Sequence, residues 1–227
     1  MHLDPAAQRP WSGTMSTIRF SDELREASEP DWSAAVGHRF VAELFEGSIA
    51  DPAMGSYLVQ DHRFLDSFLQ LLGAAVASSD RFESRIRLGR FIGLVSGEEN
   101  TYFLRSFDAL GITAEDRARI PDKAPTAGFK AIMQEAAQTC SYAAALSVLT
   151  VAEWLYLDWA GQAPSPLPQN FIHAEWITLH DNADFRDLVT FLRSELDRVG
   201  PSERERCQDF FRRSVALERA FFDAAYA

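Results

Sequence analysis

Residues 142–159 read Tyr-Ala-Ala-Ala-Leu-Ser-Val-Leu-Thr-Val-Ala-Glu-Trp-Leu-Tyr-Leu-Asp-Trp, and Glu153 and Asp158 are their only charged side chains. Ala, Leu, Val and aromatics in a run this long, without the two-residue alternation of a strand, predict a helix inside a core. A carboxylate there costs several kcal/mol unless it is paired, protonated or functional. Tyr156 follows Glu153 by three residues, so the hydroxyl and the carboxylate project from one helical face. Two readings of Glu153 stand at this point: a glutamate at the surface edge of a core helix, or a pocket carboxylate with a tuned pKa.

The rest of the chain has the same helical character. Apolar residues recur at helical spacing over about 20–46, with a break near Glu29-Pro30, then over 54–78, 79–110, 129–159, 173–199 and 202–226. Gly47-Ser48, Gly111 and Gly200-Pro201 read as stops, residues 121–128 as a loop with two prolines, and 161–168 as irregular. The expectation is an all-α, single-domain helical bundle of six or seven helices spanning residues 16–227. Residues 1–15 are expected to be a disordered extension, with Met15-Ser16 as a candidate native start.

Bulk properties exclude several classes of function. A chain of 227 residues supports one large core. Its net charge of −11 argues against a nucleic-acid or anionic-membrane surface. No apolar stretch reaches membrane-span length, and the first residues lack a signal-peptide layout. Cys140 and Cys207 belong to no C-x-x-C unit and read as free thiols of a cytoplasmic protein. None of the five histidines follows a glutamate by three, so the di-iron signature is missing and no metal is expected. Phosphate-cradling glycine loops are absent as well, and no cofactor is expected.

Polar residues set in aromatic stripes remain. Tyr57, Asp61, Phe64 and Phe68 share one helical stripe, and Glu218 precedes Phe221-Phe222 in the same manner. Glu98-Glu99 is also acidic, but adjacent carboxylates on a helix read as a solvated face. Three carboxylates on separate apolar helices with aromatic neighbours suit a small, flat, nitrogen-rich ligand: rings stack on it, while Asp and Glu accept from its amino groups.

These residues resemble the TenA/thiaminase II family over about residues 32–226. The matching elements are Trp32 followed by His38-Arg39-Phe40-Val41, Leu44, Gly47 and Ile49; Tyr57-Leu58-x-Gln60-Asp61-x-x-Phe64-Leu65; Trp154-Leu155-Tyr156; and Glu218-x-x-Phe221-Phe222. The resemblance implies a bundle of the haem-oxygenase type without haem, assembled as a homo-oligomer (tetramer or dimer). It also implies a pocket for the aminopyrimidine half of thiamin, with Asp61, Phe64, Tyr57, His180 and Phe129 as substrate-binding residues. Tyr156 and Glu218 become polar groups around the reacting carbon. Phe64 departs from the family's usual tyrosine, and Ala152 stands where one branch carries a nucleophilic cysteine. Glu153 matches the glutamate branch, which acts on aminomethylpyrimidine or its N-formyl form in thiamin salvage. Glu153 is therefore the expected acid/base, with Glu218 as partner and Tyr156 orienting it. A pyrimidine-binding regulator and a cofactor-free or metal-dependent oxidase on the same scaffold are the alternatives. The role of His180-Asp181-Asn182 stays open.

Overall fold

The computed structural model describes residues 18–227, so the expectation for residues 1–15 lies outside the described residues. Every regular element there is helical, the all-α bundle that the periodicity predicts. The helices are α1 (Phe20–Glu26), α2 (Asp31–Val36), α3 (Arg39–Glu46), α4 (Asp51–Ser78), α5 (Phe82–Leu94), α6 (Asn100–Ala109), α7 (Ala114–Arg119), α8 (Ala124–Gln138), α9 (Tyr142–Ala160), α10 (Phe171–His180), α11 (Ala183–Val199) and α12 (Arg204–Ala224). A π-helical turn (Val95–Glu99) joins α5 to α6, and a 3₁₀ turn (Gly200–Glu203) joins α11 to α12.

Several expected helices are divided, each for a local reason. The single helix expected over 129–159 is α8 and α9. Cys140 breaks it with φ of +54°, and Ser141 caps α9 by accepting from the Ala144 N–H at 3.1 Å. The loop expected over 121–128 is half helix, because Pro125 occupies the first turn of α8, where a missing N–H costs nothing. Asn182 divides 173–199 by accepting from the Phe185 N–H at 2.9 Å as the N-cap of α11. Gly47 and Gly111 do stop α3 and α6, both at φ of +67°. A Cβ at Gly47 would also come 3.1 Å from Pro168 Cβ. Gly47→Ala is expected to lower stability by about 1–2 kcal/mol, read as a shift of the denaturant midpoint at unchanged slope.

Helix α9 is the axle of the bundle, packed against α4, α8, α10, α11 and α12. All its residues except Ala152, Leu157 and Asp158 are buried. Leu146, Val148, Leu149, Val151 and Leu155 are completely covered, each contributing roughly 1.5–3 kcal/mol. That surplus holds Glu153 inside the protein. Among the described residues no helix is long and apolar enough to cross a membrane.

Candidate active site

The signature run on α4 separates into residues that hold structure and residues that face the cleft. Gln60 pins the link between α7 and α8: its amide donates to Pro121 O at 3.0 Å and its oxygen accepts from Lys123 N and Thr126 Oγ1. His62 bonds Asn100 Oδ1 at 3.1 Å and packs edge-on against Phe103 and Phe107. It thereby ties α4 to the first residue after the π-turn. Asp61, between them, lines a cleft; it is 3% exposed, and its Oδ2 has no protein partner.

The cleft has two connected parts. An inner recess of about 30 Å³ is lined by Asp61, Glu218, Tyr156, Trp176, Phe64, Phe68 and Ala152 among others. An outer chamber of about 350 Å³ is lined by Leu94, Glu98, Asn182, Asp184, Phe185 and Leu188 among others. Glu99, Glu153 and His180 line both parts. A recess this small takes a water molecule or the edge of a ring, so a ring held there extends into the outer chamber.

Every carboxyl group lining the recess is held above its ordinary pKa. Burial is the main cause for Asp61, Glu153 and Glu218, and each is raised further by the carboxylates beside it. Glu99 is pushed up to about 7 by desolvation. Among the described residues no lysine or arginine lines either part. At least some of these acids therefore stay protonated near neutrality, the state a proton donor needs. Among the described residues no three His, Cys, Asp or Glu side chains converge as metal ligands would.

Tyr156 joins Tyr57 through their hydroxyls at 2.8 Å, deep between α9 and α4. His180 packs against Tyr156 and Trp176 with ring centroids 4.8 and 4.3 Å away. Its Nδ1 lies 2.8 Å from Trp176 O, and burial lowers its pKa to about 4, so the ring is neutral and Nδ1 carries the proton.

The structure thus brings Asp61, Phe64, Glu153, Tyr156, His180 and Glu218 to one cleft from α4, α9, α10 and α12. Two of the expected binding residues stand one layer back. Phe129 lies behind Phe64 and Phe221, with ring centroids 5.3 and 6.0 Å away, because α8 packs on the far side of those rings. Tyr57 sits a turn before Asp61, covered by Phe40 and Phe222, and reaches the cleft only through Tyr156. Two lining residues escaped sequence reasoning. Adjacent to Glu98 in sequence, Glu99 reads as part of a solvated face. The π-turn widens the helix by one residue and leaves Glu98 exposed with Glu99 turned inward, a feature recurrent at functional sites. Trp176 is 1% exposed, its Nε1–H has no protein partner, and no spacing rule singles it out.

An all-α bundle closed around a cleft rich in carboxylates and aromatics defines a small-molecule site on a helical scaffold. The chain belongs to the TENA/THI-4/PQQC family, whose sequence model matches residues 25–227. It is 23% identical over 216 residues to an aminopyrimidine aminohydrolase of Halalkalibacterium halodurans, covering 92% of this chain and 96% of that protein. It is 25% identical over 218 residues to an aminopyrimidine aminohydrolase of Bacillus subtilis, covering 92% and 90% respectively. Its fold matches the TenA homologue protein from P. horikoshii OT3 with a TM-score of 0.83 at 22% identity, over 92% of this chain and 99% of that one.

Proposed function

We propose that the chain hydrolyses the bond between a ring-attached methylene and its nitrogen in a thiamin-derived aminopyrimidine, as a cytoplasmic salvage enzyme. The substrate is aminomethylpyrimidine, giving hydroxymethylpyrimidine and ammonia, or its N-formyl form, giving hydroxymethylpyrimidine and formamide by the same cleavage or the amino precursor and formate by cleavage of the amide bond instead. One observation carries this reading: Asp61 Oδ2 and Trp176 Nε1, an acceptor and a donor on residues lining the same recess, are both buried without a protein partner. The edge of an aminopyrimidine presents the complement, an amino donor beside a ring-nitrogen acceptor, and leaving such groups unpaired costs roughly 1–3 kcal/mol each. The names of the two bacterial relatives support the same chemistry.

In this reading Phe64 and Phe68 wall the ring and Asp61 takes its amino edge. Glu218 sets its carboxylate beside the ring nitrogens, where its negative charge stabilises the positive charge that the ring takes up as the leaving group departs. Protonated Glu153 donates to the nitrogen as the methylene C–N bond breaks; water bonds to that carbon and returns its proton to the Glu153 carboxylate. The sum is amine plus water giving alcohol plus ammonia. Tyr156, braced by Tyr57, orients the carboxyl group. Ala152, where one branch of the family has cysteine, supports Glu153 as the reacting group and a reading in the glutamate branch. Exposed Phe82, Ile86 and Leu94 along α5 support a homo-oligomer.

Purified protein assayed with thiamin, aminomethylpyrimidine and N-formylaminomethylpyrimidine tests the reading. Turnover of either fragment faster than thiamin is expected. Thiamin as the best substrate overturns the branch assignment, and binding without turnover of any of the three makes the chain a pyrimidine-binding regulator.

A further inference from the structure

We propose that Glu99, Glu153 and His180 form a subsite for a positively charged amine where the two parts of the cleft meet, so that this protein selects the free protonated aminomethyl ring over its N-acyl form. This rests on the aminopyrimidine reading above and assigns Glu99 a role within it.

The three residues come from the π-turn, α9 and α10, and among the described residues they alone line both parts of the cleft. His180 is 7% exposed, and its Nδ1–H is committed to the Trp176 carbonyl. Its Nε2 therefore carries a lone pair and no proton, and among the described residues it has no hydrogen-bond partner. Two carboxyl groups and one imidazole acceptor match the three N–H donors of an ammonium group, which has nothing to accept with. Ring nitrogens paired in the recess place the methylene substituent at this boundary.

An N-acyl group makes the opposite demand. It offers one N–H, and its carbonyl needs a donor. The polar side chains of the outer chamber are acceptors, Glu98 and Asp184, or are already engaged. The Asn182 amide donates to Thr178 O and Leu179 O at 3.0 and 3.1 Å, and its oxygen accepts from Phe185 N. Among the described residues the titratable groups around Glu99 are Asp61, Glu98, Glu153, Tyr156, His180, Asp184 and Glu218, and none of them is a lysine or an arginine. Burial that holds Glu99 up near 7 is relieved when a cation arrives. The proton that Glu153 donates to the bound amine completes this ammonium and leaves Glu153 as a carboxylate. The C–N bond breaks to release neutral ammonia, water bonds to the methylene carbon, and its proton passes to Glu153.

Glu99→Gln keeps the shape of the side chain and removes the charge. Initial rates with aminomethylpyrimidine and its N-formyl derivative, and equilibrium binding of hydroxymethylpyrimidine, are measured for wild type and variant between pH 6 and 8. Wild type is expected to prefer the amine. Glu99→Gln is expected to lower kcat/KM for the amine by about tenfold to a hundredfold, the loss of one charged hydrogen bond. Rates on the N-formyl compound and affinity for the alcohol stay within about twofold, and the amine loses part of its pH dependence near 7. A merely structural Glu99 would move all three ligands together, and that result, or wild-type preference for the N-formyl compound, overturns the amine subsite while leaving the aminopyrimidine reading intact. Absence of turnover with both substrates and of binding by the alcohol overturns that reading and the subsite with it.

Discussion

Glu153→Gln is expected to lower kcat on the preferred aminopyrimidine by about 10³-fold, within the range that a positioned acid/base supplies, while the affinity for hydroxymethylpyrimidine changes little. The amide fills the same volume between Ala152 and Tyr156 but can neither donate a proton to the leaving nitrogen nor take one from water. Glu218→Gln is expected to reduce kcat less, by about 10²-fold, because it weakens the stabilisation of the ring's positive charge without removing the proton shuttle. Single-turnover ammonia release, measured beside product affinity, separates these effects from loss of binding. Full ammonia release by both variants would refute the assignment of roles.

A fall in the stability of the ligand-free protein between pH 6.5 and 8.5 is the second large effect expected. The folded-state pKa values of Asp61, Glu153 and Glu218 lie well above their ordinary range, and that of Glu99 lies at about 7. A carboxyl group raised on folding stabilises the native state fully below its unfolded pKa, and that stabilisation is lost as pH rises through the folded value. His180 works in the other direction but outside this window. Its pKa is lowered to about 4, so its contribution is constant above about pH 6.5 and is lost only as pH falls toward 4. Each extra proton that the native state holds amounts to about 1.4 kcal/mol per pH unit, or roughly 3–6 °C in Tm per unit for a domain of this size. Calorimetry across that window checks the slope. Glu153→Gln is expected to flatten it and to melt above wild type at pH 8.5, the inverse of its effect on activity; a pH-independent Tm in wild type would show that the cleft is already neutralised.

Much of the candidate site was legible because an unfavourable residue in a favourable pattern is a strong signal. Asp61 in an aromatic stripe, Glu153 in an apolar helix and Glu218 beside Phe221-Phe222 each break a periodicity that sets the expected burial. All three line the cleft. Phe129 and Tyr57 obeyed the periodicity, so the sequence could not distinguish a ring that touches the ligand from one that supports it. Glu99 failed for the opposite reason. Its position was read on a 3.6-residue helix, whereas a π-turn shifts the register by one residue and turns inward a side chain expected to face water.

The helical class of the chain, the ends of α3 and α6, and the three carboxylates that stand against the grain of their helices are all written in the residues alone. These are local properties: apolar period, a glycine in the left-handed region, a charge at an apolar position. Helix packing alone reveals that the carboxylates share one cleft in which, among the described residues, no lysine or arginine neutralises them. Only that packing shows that Trp176 and Asp61 leave a donor and an acceptor unpaired, and that the opening run carries its glutamate at the boundary of two chambers. Those depend on which helices pack side by side, and no spacing along the chain encodes a distance between α4, the π-turn, α9 and α12.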